Sequence, residues 1–323
     1  MKSQVVGRFA PSPSGRMHLG NLFSCLLCWL AVRSAGGKLI LRIEDLDPQR
    51  TSRALSDLLE EDLRWLGLTW DEGGSTGGPQ TPYYQSQRGE IYQAALEKLE
   101  ALGLCYPCFC SRAELHAAEA PHLSDGRVLY SGRCRHFTPA EREALSARRR
   151  PALRVQVPDE TISFTDLRCG FQQEHLPDTC GDFLIRRADG VFAYQLAVSV
   201  DDALMGVNLV VRGSDLLTST PRQIWLQQTL GFVPPQYGHI PLLLAPDGRR
   251  LSKRDGDLDM AHFRSHLSGP EPLLGLLAWL GGLLDRPEPV SASELIPLFD
   301  WKKLPDGDVT VAADQLFKAL EKF

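Results

Sequence analysis

A strand that must stop at a double-proline turn and then pass into an apolar helix sets the architecture of the first 35 residues. Val5 to Ala10 has the length and apolar character of a short buried strand. Pro11-Ser12-Pro13-Ser14-Gly15 cannot continue it, because two prolines and a glycine break either regular element. Leu22 to Ser34 then predicts a buried helix, ended by Gly36-Gly37. Leu39 to Ile43 predicts a second strand. Thr51 or Ser52 can cap a further helix running to Leu66, with Leu55, Leu58, Leu59, Leu63 and Leu66 at helical spacing. Strand, helix, strand, helix is the pattern of a doubly wound parallel sheet.

In an open parallel sheet, ligands bind beyond the carboxyl ends of the strands. A helix that starts there points free N–H groups at the crevice, which makes it a phosphate site. His18 and Asn21, three residues apart at such a start, can face one ligand. Gly20 lets the backbone approach closely, and Arg8 places a fixed positive charge at the strand's end. Further along, Arg250-Leu251-Ser252-Lys253-Arg254 follows Pro241-Leu242-Leu243-Leu244 and a turn at Pro246-Asp247-Gly248. A lysine ammonium there suits the β- and γ-phosphates of a nucleotide as charge builds on leaving pyrophosphate.

The longer string Pro-Ser-Pro-Ser-Gly-x-x-His-Leu-Gly-Asn resembles the His-Ile-Gly-His signature of class I aminoacyl-tRNA synthetases, and Arg250-Leu251-Ser252-Lys253-Arg254 resembles their Lys-Met-Ser-Lys-Ser loop. Asn21 stands where that signature has its second histidine. The match to glutamyl-tRNA synthetases is closer still. It rests on Gly7 to Gly15, on Leu41-Arg42-Ile43-Glu44-Asp45-Leu46-Asp47 and on the segment from Val200-Asp201-Asp202 to Val210-Val211-Arg212-Gly213-x-Asp215. It covers residues 5–260.

The resemblance implies catalysis by His18, Asn21 and Lys253, and ATP binding by His18, Gly20, Asn21, Lys253 and Arg254, with magnesium accompanying ATP. It implies glutamate binding by Arg8, Ala10, Ser12, Glu44, Tyr194 and Arg212. The chemistry agrees: two guanidinium groups suit a substrate with two carboxylates, and Glu44 suits its ammonium. No general base is needed, since a substrate carboxylate is already ionised at pH 7 and attacks phosphorus directly. Val198 stands where the family often has an asparagine, four residues after the tyrosine.

Cysteine usage marks a second region. Cys105-x-x-Cys108-x-Cys110 precedes Tyr130-x-x-x-Cys134, with His116, His122 and His136 nearby. Tetrahedral zinc takes four N, O or S ligands, and these residues alone leave Cys105 and the histidines open for the remaining places. Short paralogues of the glutamyl-tRNA synthetases bind structural zinc through Cys-x-Cys and Tyr-x-x-x-Cys, which implies Cys108, Cys110, Tyr130 and Cys134 here. Cys25 and Cys28 lie in an apolar helix and read as core.

The expected division is a Rossmann-like catalytic domain from residues 1–104 and 178–259, with strands resuming at Phe183-Leu184-Ile185 and Val207 to Val211. An α+β zinc-binding insert is expected over 105–177, and a short helical region over 260–323. Only 64 residues follow Asp259. The family's anticodon-binding region is much longer. This resembles the short paralogues, which activate glutamate without tRNA and transfer it to queuosine in the tRNA(Asp) anticodon loop.

Net charge is −5, which does not mark the whole chain as a polyanion binder. Seven arginines between Arg127 and Arg150, against Glu141 and Glu143, are nevertheless candidates for RNA backbone contacts. The expected partners are therefore ATP, L-glutamate and queuosine-bearing tRNA(Asp), with no membrane partner and a monomeric state. No apolar run reaches the ~18 residues of a membrane span. Met1-Lys2-Ser3-Gln4 leads straight into the first strand, so no signal peptide is expected. Clustered cysteines fit a reducing compartment, the cytoplasm. The competing expectations are a truncated synthetase charging the tRNA 3′ end, a small-molecule adenylyltransferase, and a zinc-knuckle binding module without catalysis.

Overall fold

The computed structural model describes residues 4–111, 114, 129–249, 251, 259–312, 316, 318 and 320. Strand β1 (Val6–Phe9) leads through the proline turn into helix α1 (Leu19–Ser34) and returns in β2 (Lys38–Leu41). Helix α2 (Arg53–Trp65) and the two-residue β3 (Glu72–Gly73) follow. Ser52 is the cap of α2, its hydroxyl accepting from the Leu55 N–H at 3.3 Å. Helix α1 starts three residues before the expected Leu22, because His18 and Asn21 close a reciprocal capping box at its N-terminus.

After α3 (Gly89–Ala101), the chain forms β4 (Cys105–Cys108), α4 (Pro139–Ser146), β5 (Ala152–Val155), and a hairpin of β6 (Thr161–Asp166) and β7 (Gly170–His175). A single turn, α5 (Leu176–Thr179), precedes β8 (Phe183–Arg186). Then come α6 (Tyr194–Leu204), β9 (Leu209–Gly213), α7 (Thr220–Thr229) and β10 (Gln236–Ile240). The short β11 (Leu243–Leu244), α8 (Met260–His266), α9 (Glu271–Leu280), α10 (Ala292–Leu295) and β12 (Val309–Thr310) complete the order. Helices α8, α9 and α10 fall in this last stretch, and β12 adds parallel to β11.

The main sheet runs β3-β2-β1-β9-β10-β6-β7, parallel except for the last strand. Both faces are covered. Leu39, Leu41, Leu209 and Val211 point into one core with α1 and α9, while Ile40 and Val210 point into the other with α3, α6 and α7. Helix α1 is apolar all round because it lies between the sheet and the C-terminal helices. Gly7 permits this approach: a Cβ there would collide with Val32 of α1.

Two placements differ from the sequence expectation. Phe183–Arg186 does not resume the parallel sheet; it pairs antiparallel with β5 in a separate three-stranded sheet, β4-β5-β8. Conversely, the β6–β7 hairpin, from the C-terminal end of the expected 105–177 insert, joins the main sheet beside β10 and covers what would otherwise be its edge.

Candidate functional site

Strand order reverses between β1 and β9: the chain winds one way through β2 and β3, and the other way through β10. Loops leaving two such strands diverge and open a crevice at their carboxyl ends. A cleft of about 740 Å³ lies there. Arg8, Ala10, Ser12, His18, Asn21, Glu44, Tyr194 and Arg212 all line it. Gly20 sits in the first turn of α1 beside the His18 ring. Lys253 and Arg254 lie outside the described residues. The residue on their C-terminal side is anchored at this cleft: Asp259 bridges to His18, and the Met260 N–H donates to the Met17 carbonyl at 3.0 Å.

His18 caps α1, its Nδ1 accepting from the Gly20 N–H at 3.2 Å. Asn21 Oδ1 accepts from the His18 N–H at 3.3 Å. Asn21 therefore does more than stand in for a histidine: it fixes the turn. With its oxygen engaged, what it offers a ligand are its amide hydrogens.

The cleft floor is a buried charge network that sequence reasoning passes over. Asp202 accepts from Arg42 Nη1 at 2.6 Å and from Arg8 Nε at 3.1 Å. Arg42, with no exposed side-chain surface, also donates to Glu44 at 3.2 Å. Asp201 accepts from Arg88 at 2.7 Å, from Gln85 at 2.9 Å and from Tyr92 at 2.8 Å. Arg8, Arg42 and Arg88 thus balance Asp201, Asp202 and Glu44. Burial pushes the Asp202 carboxyl up, but Arg42 and Arg8 outweigh it and hold the pKa low. Burial prevails at Glu44, whose pKa is raised despite Arg42 and Arg8. Burial also raises Tyr194, reinforced by the nearby Glu44. Two carboxylates in sequence within an otherwise apolar helix, Val200-Asp201-Asp202-Ala203-Leu204, are the signal for this network.

Arg212 is different. Its nitrogens donate to Gln223 at 2.7 Å, Thr220 at 2.9 Å, His239 at 3.1 Å and the Leu216 carbonyl at 3.3 Å. None of these is a carboxylate, and among the described residues no ion pair neutralises Arg212. Its charge sits at the cleft wall, 6% exposed, with room for an anion beside it. Val198 is fully buried one turn beyond Tyr194 and does not line the cleft.

The sulfurs of Cys108, Cys110 and Cys134 lie within 4.8 Å of one another. Tyr130 Oη is 3.7 Å from Cys108 Sγ and 4.0 Å from Cys110 Sγ, and the Cys110 and Cys134 sulfurs are 3.5 Å apart. Sulfurs on a tetrahedral zinc are about 3.8 Å apart at normal bond lengths, so the set can hold such an ion. Arg154 donates to Cys108 Sγ at 3.3 Å and stacks 3.8 Å over the Tyr130 ring, placing a positive charge beside the cluster. Cys105 packs instead against the core of the main sheet. His136 is exposed, and His116 and His122 lie outside the described residues. Arg133 and Arg148 to Arg150 are exposed on the same part of the chain.

A doubly wound parallel sheet with a capped helix start and an arginine-lined cleft at its switch point is a nucleotide-binding enzyme framework. Residues 4–316 match the family model of the class I tRNA synthetases (E and Q), catalytic domain, and the chain belongs to that family of ligases. It is 54% identical over 315 residues to the glutamyl-Q tRNA(Asp) synthetase of Symbiobacterium thermophilum, spanning 97% of both chains. It is 46% identical over 314 residues to the protein of that name from Nitratidesulfovibrio vulgaris, again over 97% of both. Among solved structures, a glutamate tRNA ligase from Elizabethkingia meningosepticum in complex with its amino acid superposes with a TM-score of 0.82 at 31% identity, covering 98% of this chain and 69% of that one. No helix among the described residues is long and apolar enough to cross a membrane.

Proposed function

We propose that the chain activates L-glutamate with ATP in the absence of tRNA and transfers the glutamyl group to queuosine in the anticodon loop of tRNA(Asp). The observation that carries the glutamate assignment is Arg212, a nearly buried guanidinium with no carboxylate partner among the described residues, across a cleft from Arg8 and Glu44. The RNA assignment is supported by relatives named for that activity, matched over 97% of their own length.

In this reading Arg8, Ser12, Tyr194 and Arg212 hold the two carboxylates, with Ala10 shaping the wall, and Glu44 meets the ammonium. One carboxylate oxygen attacks the α-phosphorus of ATP; the bond to the bridging oxygen breaks and pyrophosphate leaves. His18, Gly20 and Asn21 stabilise charge on the α-phosphate at the helix start, while Lys253 and Arg254 follow the pyrophosphate. Magnesium, when bound, shares that negative charge. The queuosine hydroxyl then attacks the acyl carbon and AMP leaves. Cys108, Cys110, Tyr130 and Cys134 are the residues that would hold a structural zinc. The surrounding region 105–177, with its exposed arginines, is assigned to the RNA.

The test is ATP–pyrophosphate exchange with glutamate, glutamine and aspartate in turn, without tRNA, followed by transfer of labelled glutamate to tRNA(Asp) with and without queuosine. Exchange with glutamate alone and labelling that requires queuosine are expected. Exchange that needs tRNA, or label on the 3′ end, would replace this reading with a 3′-charging synthetase.

A further inference from the structure

His239 on β10 lies directly across from Arg212 on β9 in the strand register, on the face of the sheet where both side chains are buried. Its Nε2 is 3.1 Å from Arg212 Nε. A guanidinium nitrogen only donates, so Nε2 must be bare and accept. The ring proton is then on Nδ1, which is 2.7 Å from Asp166 Oδ2. Asp166, at the end of β6 and 2% exposed, is itself fixed by the N–H groups of Arg168 at 3.0 Å, Cys169 at 2.9 Å and His239 at 3.1 Å. Thr220 and Gln223 hold the far end of the same guanidinium.

From this chain of bonds we infer that His239, oriented by Asp166, is a positioning residue that presents Arg212 to the substrate carboxylate. A buried histidine between strands often serves packing alone. Here the ring joins a carboxylate on one side to a buried cleft arginine on the other, and that arginine has no carboxylate of its own among the described residues. The arrangement lends Arg212 an acceptor without spending a direct ion pair, so its charge stays available to the ligand. The β6–β7 hairpin thereby reaches the cleft through three side chains without lining it.

The inference rests on the assignment of Arg212 to glutamate binding, and the experiment separates the two. Pyrophosphate exchange is measured for His239→Leu, His239→Gln, Asp166→Asn and Arg212→Ala, with folding checked by circular dichroism. His239→Leu is expected to raise KM for glutamate about tenfold with kcat changed far less. His239→Gln, whose amide oxygen can take the place of Nε2, is expected to restore most of that loss. Asp166→Asn, which conserves shape, is expected to raise KM about threefold and carries the test should His239→Leu not fold. In selectively labelled protein, the His239 nitrogen shifts are expected to show a protonated Nδ1 and a bare Nε2. If Arg212→Ala raises KM while the His239 and Asp166 variants stay within about twofold of wild type, the positioning role is wrong and the cleft assignment survives. If Arg212→Ala leaves KM unchanged, both fall. The opposite tautomer, or a glutamine variant no better than leucine, also overturns the role.

Discussion

Asp62 of α2, completely buried, accepts a hydrogen bond at 3.2 Å from Arg264 of α8, the helix that follows the lysine loop. The same oxygen accepts from Arg16 of the turn before His18, also at 3.2 Å. One carboxylate therefore joins the two segments that flank the motifs proposed to bind phosphate. Both arginines are about one-third exposed or less, so their loss of a partner is only partly relieved by water. Asp62→Ala is expected to cost about 2 kcal/mol in urea unfolding. It is also expected to raise KM for ATP more than KM for glutamate. An unfolding midpoint equal to wild type would show that the clamp contributes nothing.

Lys253 and Arg212 should separate kinetically. Lys253→Ala is expected to lower kcat for pyrophosphate exchange about a hundredfold with glutamate KM little changed, because its contact matters as charge develops on the leaving group. Arg212→Ala is expected to raise glutamate KM instead. Steady-state exchange at varied glutamate and ATP distinguishes them, and wild-type behaviour in both would remove this cleft as the active site.

Acid stability should carry the mark of Asp166. Burial pushes its carboxyl up, but hydrogen bonds from His239 and from the Cys169 and Arg168 backbone hold it down at about 2. In the unfolded chain it titrates near 3.9. Above that value ionised Asp166 stabilises the fold in full; as pH falls from about 4 toward 2, the unfolded chain takes the proton first and the stabilisation is lost. His239 works in the same direction at higher pH. Burial lowers its pKa, so as pH falls below about 6.5 the unfolded chain binds the proton more readily and stability declines. Urea midpoints measured from pH 6 to pH 3 should fall more steeply for wild type than for Asp166→Asn. Parallel curves would contradict the assignment.

Metal content is directly measurable. Purified protein is expected to hold about one zinc per chain, and Cys134→Ser is expected to lower both that ratio and the melting temperature. Chelation of wild type should melt the β4-β5-β8 region first, seen as faster amide exchange there than in the main sheet. Full stability of a zinc-free protein would refute a structural ion.

Much of the cleft was legible because its residues sit in strings whose order along the chain follows strand ends. Arg8, Ser12, Glu44, Tyr194 and Arg212 come from four separate segments, and all reach one cavity. The cysteine-rich region was legible from spacing; spacing left Cys105 open, the family resemblance pointed to Cys108, Cys110 and Cys134, and those three cluster while Cys105 faces the other core. Strand partners were not legible. Phe183–Arg186 and Leu209–Gly213 are similarly apolar, and nothing in either pattern tells that one pairs antiparallel in a small sheet and the other parallel in the main one. His239 gave no signal, since a single histidine after Tyr237-Gly238 acquires meaning only when β9 is laid beside it.

The contact between β1 and β9 places Gly7 opposite Leu209, residues separated by 202 positions. On the ribosome, β1 and β2 can pair early, but the inner edge of β1 stays bare until roughly two-thirds of the chain has emerged. Nascent chains stalled before β9 would present an open strand edge with an apolar helix beside it, a surface prone to association. Long-range closure of this kind makes the cleft one of the last features to form, so a polypeptide that has an active site has already completed its central sheet.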